Sequence, residues 1–185
     1  KHPEAIRHAD NNGCLPIHIA SVGKSPEYCR LLIEAYPGSE RMSNRDSALP
    51  LHCACALNTV TMVENIFKLY PDAINHATIQ GCYPIHIAIL GMSRRNSPIA
   101  AAEIVEFLLN CDPHLKFVKV NGFSLLDFAC NLAYNDSNIE AGIQVAKVIY
   151  DAYPEAIEEN NTASNIHRYH QQVQSFLNGE LVYSR

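Results

Sequence analysis

The chain has 185 residues, 48% of them hydrophobic and 18% charged, with a formal net charge of −5. The apolar fraction is that of a folded protein, and the low charge content excludes a disordered acidic or basic tail as the bulk of the chain. The acidic balance argues against broad electrostatic binding to nucleic acid or anionic membrane, and no apolar run reaches the ~20 residues that span a bilayer.

Lys1-His2 opens the chain without Met or an apolar leader, which reads as a piece cut from a longer protein. Gly13-Cys14-Leu15-Pro16-Ile17-His18-Ile19-Ala20 follows. Pro16 suits the first turn of a helix, where a missing N–H costs nothing. Ser25-Pro26-Glu27 then reads as an N-cap, a Pro and an acid at the start of a second helix. That helix carries Tyr28, Leu31, Leu32 and Ala35 as one apolar stripe. It ends near Tyr36, because the residue before Pro37 is pushed out of the α region.

The same unit recurs. Ser47-Ala48-Leu49-Pro50-Leu51-His52-Cys53-Ala54, Gly81-Cys82-Tyr83-Pro84-Ile85-His86-Ile87-Ala88 and Gly122-Phe123-Ser124-Leu125-Leu126-Asp127-Phe128-Ala129 follow at steps of 34, 34 and 41 residues. His2-Pro3, Tyr36-Pro37, Tyr70-Pro71, Asp112-Pro113 and Tyr153-Pro154 keep nearly the same pace. Each unit is therefore helix, turn, helix and long connection, and stacking such units buries what neither helix buries alone. Ala20, Ala54, Ala88 and Ala129 are expected to be buried where helices approach closely. Units three and four are longer, with insertions at Gly91 to Pro98 and Asn131 to Glu140. Ser97-Pro98 and Ser137 are candidate caps for second helices that start early. The last segment, Ala163 to Leu177, places Ile166, Tyr169, Val173 and Leu177 in one stripe, as a terminal helix that Asn178-Gly179 would stop.

The Gly-x-x-Pro-(Ile/Leu)-His-x-Ala segment at this spacing resembles the ankyrin repeat, whose pattern is Gly-x-Thr-Pro-Leu-His-x-Ala. The likeness is strong in the first three units and weaker in the fourth. It implies an all-α helix-turn-helix solenoid in a single domain over 1–185. The units fall at about 3–36, 37–70, 71–112 and 113–153, with a degenerate repeat and capping helix at 154–185. The chain departs from the family at its Thr position, which holds Leu15, Leu49, Tyr83 and Ser124. The hydroxyl-to-imidazole hydrogen bond is then absent from the first two units, and His18, His52 and His86 need other partners. The Tyr-Pro-(Glu/Asp)-Ala-Ile element also replaces the usual end of the second helix, so this is a divergent subtype. Further repeats or domains of the same chain are expected upstream.

Nine histidines and seven cysteines invite a catalytic or metal reading. Yet His18, His52 and His86 share one repeat position, as a structural part would. His8 and His76 lack neighbours at metal-ligand spacing, and His167 and His170 lack a third ligand. The odd cysteine count, without C-x-x-C, reads as reduced thiols in a cytosolic or nuclear protein. Nucleotide-loop and hydrolase motifs are absent. A thiol–histidine enzyme is the reading from another class. No cofactor and no metal are expected. Arg94-Arg95-Asn96-Ser97 resembles a basophilic kinase site, against a plain solvated loop.

The ankyrin resemblance implies protein–protein recognition on the concave face formed by finger tips and first helices. A regulatory or intramolecular docking domain of a larger protein is the alternative. Carried over, the partner-binding candidates are Arg45, Ala48, Ile79, Gln80, Cys82, Val120, Asn121 and Phe123. Their centre of energy is expected at Ile79, Cys82, Val120 and Phe123, which lack obvious cover from within the chain. The partner is another protein or peptide, with no nucleic acid and no membrane insertion. The second helices carry Glu27, Glu34, Glu64, Glu103, Glu106 and Asp151 against Arg30, Lys68 and Lys147, a solvated acidic face that argues against DNA wrapping.

Overall fold

The computed structural model describes residues 3–94, 99–132, 134–135, 137–159 and 166–183, and the chain divides into two compact units, 1–91 and 92–185. Among the described residues the chain is all-helical, with one isolated bridge and no strand. None of its helices is long and apolar enough to cross a membrane.

The first unit contains α1 (Pro16–Gly23), α2 (Pro26–Ala35), α3 (Pro50–Leu57), α4 (Val60–Leu69) and α5 (Pro84–Leu90). Short 3-10 turns occupy Pro3–Arg7, Ser39–Arg41 and Pro71–Asn75. Pro16, Pro50 and Pro84 are the first helical residues, after Leu15, Leu49 and Tyr83 in extended backbone. Ser25 and Thr59 cap the second helices by accepting from the N–H of Tyr28 and Met62, each at 3.4 Å. α1 packs on α2 and α3 on α4, while α3 also touches α1 and α5, and α2 touches α4. The core runs through Ile17, Leu51, Ile85, Val63 and Ile66.

Ala54 and Ala88 are fully buried, and Ala20 nearly so. Ala54→Leu should therefore overpack the α1–α3–α5 contact and lower stability by about 1–3 kcal/mol. Melting within error of the parent would refute that packing. The α2 stripe needs correcting. Cys29 and Leu32 are buried, but Tyr28 is 48% and Leu31 63% exposed. The residue equivalent to Tyr28, Met62, is 1% exposed in α4, the helix that packs on α2. In this unit the matching side of α2 has no such neighbour among the described residues.

The second unit contains α6 (Ala100–Cys111), α7 (Leu125–Cys130), α8 (Ile139–Ala152), α9 (Ala156–Glu159) and α10 (Gln171–Tyr183). α8 is central and touches α6, α7, α10 and the 3-10 turn Pro113–Phe117. Ala129, Val145, Val173 and Leu177 are buried. α8 is about a turn longer than α2 and α4. Its cap is Asn138 rather than Ser137, whose N–H and hydroxyl donate instead to Asn135 Oδ1 at 2.9 and 2.6 Å. Ser97-Pro98 and the start of the terminal segment at 163–165 lie outside the described residues. Asn178-Gly179 does not stop the last helix, which runs through both to Tyr183. A glycine inside a helix costs only about 1 kcal/mol, less than burying Val173 and Leu177 returns.

A buried polar cluster closes this unit. Ser124 Oγ donates to Asp127 Oδ2 at 2.9 Å, and Tyr169 donates to Asp127 Oδ1 at 3.1 Å. Burial, then the nearby Asp127, raises the Tyr169 phenol above its ordinary value, so it stays a donor. Tyr134 donates to Ala129 C=O. Its ring lies against Gly142, where an added Cβ would meet it at 2.1 Å.

Candidate functional site

Three connections of the first unit end in the same hairpin, or finger. Backbone N–H groups of Asp10, Asn44 and Thr78 donate to the carbonyls of Cys14, Ala48 and Cys82 at 3.0, 2.9 and 2.9 Å. The first side chain of each finger closes the loop. Asp10 Oδ1 accepts from the N–H of Asn12 and Cys14, both at 2.8 Å. Asn44 Oδ1 accepts from Asp46 and Ala48 at 3.0 and 2.9 Å, and Thr78 Oγ1 accepts from Cys82 at 3.2 Å. Gly13, Ser47 and Gly81 take positive φ angles of 76°, 60° and 78°. Ser47 thus adopts a conformation that suits glycine, held by its finger's hydrogen bonds. The fingers are tied to each other as well. Arg45 N–H donates to Asn12 C=O at 3.0 Å, and Ile79 N–H donates to Asp46 C=O at 2.9 Å.

The fourth finger lies in the second unit and is built differently. Val120 and Phe123 exchange both backbone hydrogen bonds, at 3.1 and 3.0 Å, across Asn121 and Gly122 with φ of 52° and 82°. This is the two-residue turn that Asn-Gly favours. It is one residue shorter than the others, so Val120 takes the place of Thr78 at the finger base. Equivalence to Ile79 at the tip does not hold.

This places the eight candidates. Arg45, Gln80 and Asn121 are exposed and Ala48 is half-buried. Ile79 is 68% and Phe123 44% exposed. Val120 is 4% and Cys82 8% exposed, and neither projects into solvent. Both are corrections. The shorter turn draws Val120 inward, and Cys82 folds under its finger where Thr78 closes the loop. Ile19 is an exposed residue that the finger pattern does not point to. It is 58% exposed on α1, with Cys53 and Ile87 half-buried at the equivalent positions of α3 and α5. The sequence does carry a signal for it, since Ile17 and Ile19 are two apart and cannot share a helix face.

The histidine row supports the fingers from below. The N–H groups of Leu15, Leu49 and Tyr83 donate to Nδ1 of His18, His52 and His86 at 3.1, 3.1 and 3.2 Å. His18 Nε2 donates to Ala48 C=O at 3.2 Å, and His52 Nε2 to His76 C=O at 3.1 Å. An Nδ1 that accepts and an Nε2 that donates define the neutral imidazole. Burial lowers the pKa of all three rings, to about 4 at His52 and His86, helped at His52 by the neighbouring His76. His76 Nε2 in turn donates to Ser47 C=O at 2.9 Å.

No family model and no curated protein matches this chain.

The seven cysteines are thiols rather than disulfide halves. Burial raises the thiols of Cys29, Cys82 and Cys130, and pushes Cys53 up to about 12. These four stay protonated at neutral pH and are poor nucleophiles. Among the described residues, no three His, Cys, Asp or Glu side chains gather to hold a metal ion. His167 is exposed, and His170 is half-buried with its ring 6.4 Å from Tyr134. Arg95, Asn96 and Ser97 of the kinase-like sequence lie outside the described residues.

Proposed function

We propose that the chain is a divergent ankyrin-type repeat protein that recognises another protein or peptide on its finger side and performs no catalysis. Ile79 carries this reading. It is 68% exposed at the tip of a finger whose backbone is bonded to the preceding finger. An isoleucine held in water forgoes ~25 cal/mol per Å² of apolar surface, so a fixed scaffold presents it at a cost. Arg45 and Gln80 are exposed on the same finger system, and Ile19 is exposed on α1. In the second unit the finger presents Phe123, 44% exposed, with Asn121 exposed in the same turn. The repeated Pro-initiated helix, capped second helix and glycine-type finger support the ankyrin-type solenoid. A cytosolic or nuclear setting belongs to the same reading.

Proteins retained by the immobilised chain should be lost from an Ile79→Ser, Phe123→Ala variant whose melting temperature is unchanged. A buried anchor of this kind carries ≥2 kcal/mol, about thirtyfold in affinity. Val120→Ser is the contrast, because it should lower the melting temperature instead. Unchanged capture by the double variant would move the site off the fingers.

A further inference from the structure

A shallow cleft of about 250 Å³ lies between α6 and α8 in the second unit, lined by Glu106, Leu109, Asn110, Val148, Asp151 and Ala152. Each helix supplies positions i, i+3 and i+4, one turn of one face. Leu109 is buried and Val148 half-buried, so the base is apolar. Glu106, Asn110 and Asp151 are exposed at the rim. Among the described residues neither rim carboxylate is in an ion pair, although Lys147 stands four residues before Asp151. Next along the chain from Ala152, the Tyr153 ring lies 5.1 Å from Phe117, which is 52% exposed. Phe117 belongs to the turn that packs on α6 and α8.

We propose that this cleft docks one arginine or lysine side chain of a partner segment, with the apolar residue next to it resting on Phe117. The volume sets the scale. It falls below the ~300 Å³ where pockets for small molecules begin, and it suits one long side chain. The chemistry sets the type. An apolar base takes the methylene stem, and the two rim carboxylates take the charged head. Lys116 already lies 5.1 Å over the Phe117 ring and 5.4 Å over the Tyr153 ring. That cation would repel a second one, so the neighbour of the basic residue is apolar. An acidic segment or a phosphate backbone meets like charge at the rim. The proposal does not rest on the reading given for the fingers.

The test is a titration of the isotope-labelled full chain with acetyl-Gly-Arg-Leu-Gly-amide, followed by amide NMR shifts. Parallel titrations use peptides with Glu or norleucine in place of Arg, and with Gly in place of Leu. The Arg-Leu peptide should give saturable shifts at Glu106, Asn110 and Asp151. Raising salt from about 50 to about 500 mM should weaken it severalfold, because the rim charges are exposed. Glu106→Gln with Asp151→Asn should weaken it about tenfold, and each single change about threefold. The single variants keep the test open if the double variant folds poorly. Replacing Leu by Gly should remove the effect of Phe117→Ala. Equal binding of the norleucine peptide, unchanged binding by the variants, or unmoved rim amides up to the solubility limit would each overturn the proposal.

Discussion

Acidification from pH 7.5 to pH 5 is expected to lower the melting temperature of the chain by about 10 °C. In the unfolded chain His52 and His86 take up their protons near the ordinary value of 6.5, but in the folded chain not until about 4. Between those limits the unfolded state binds more protons, so acid draws the equilibrium toward it. The stability is complete above about pH 6.5 and is lost as the pH falls toward 4. Each residue contributes about 2 kcal/mol at pH 5, and a domain of this size loses about 2–4 °C per kcal/mol. Burial lowers His18 in the same direction. The structural reason is that protonated Nδ1 can no longer accept from the N–H of Leu49 or Tyr83. Thermal melts across this range check the expectation, and a flat profile would contradict it. His52→Gln should reduce the slope, since it removes one of the titrating groups.

Replacing Ser39 by Ala and Glu40 by Ile is expected to stabilise the chain by roughly 2–4 kcal/mol. Both side chains are buried, and among the described residues neither Ser39 Oγ nor Glu40 Oε2 has a hydrogen-bond partner. An unsatisfied buried group costs about 1–3 kcal/mol, and more if charged. The repeat itself names the replacement. The same two places hold Ala73 and Ile74 in the next connection, and Ala156 and Ile157 in the last, all buried. The change loses the contact of Glu40 Oε1 with Arg41 Nε at 3.3 Å. Arg41 is 64% exposed, so that pair is worth at most about 1 kcal/mol. Arg41 keeps its place 5.0 Å over the Tyr70 ring. Urea melts of the parent and the double variant measure the difference. A destabilised variant would mean that the carboxylate is satisfied in solution.

Local rules alone account for the prolines that start α1, α3 and α5, the Ser25 cap and the buried Ala54, and all three are legible in the sequence. The partner of His52 Nε2 is not legible there, because it is the carbonyl of His76, supplied through space by the next connection. Glycine spacing locates a finger tip, and Ile79 and Phe123 are exposed as that spacing implies. Val120 escapes the rule, because the same spacing is silent on whether a turn has two or three residues between its bonds. Tyr169 falls on an apolar stripe, but its phenol bridges to Asp127, forty-two residues earlier. A periodicity argument sees the ring and misses the hydroxyl. The cleft between α6 and α8 shows in the sequence only as surplus acid on the second helices, since spacing within one helix cannot say which carboxylates of another face it.

The bonds from Arg45 N–H to Asn12 C=O and from Ile79 N–H to Asp46 C=O use main-chain atoms alone. Every amino acid except proline supplies that N–H. The tips can therefore change identity without disturbing the scaffold that presents them, while the positive-φ positions Gly13 and Gly81 cannot do so freely. Heritable variation is thereby channelled to the outermost residues, and a lineage could retarget such a surface by single codon changes without re-solving how to fold.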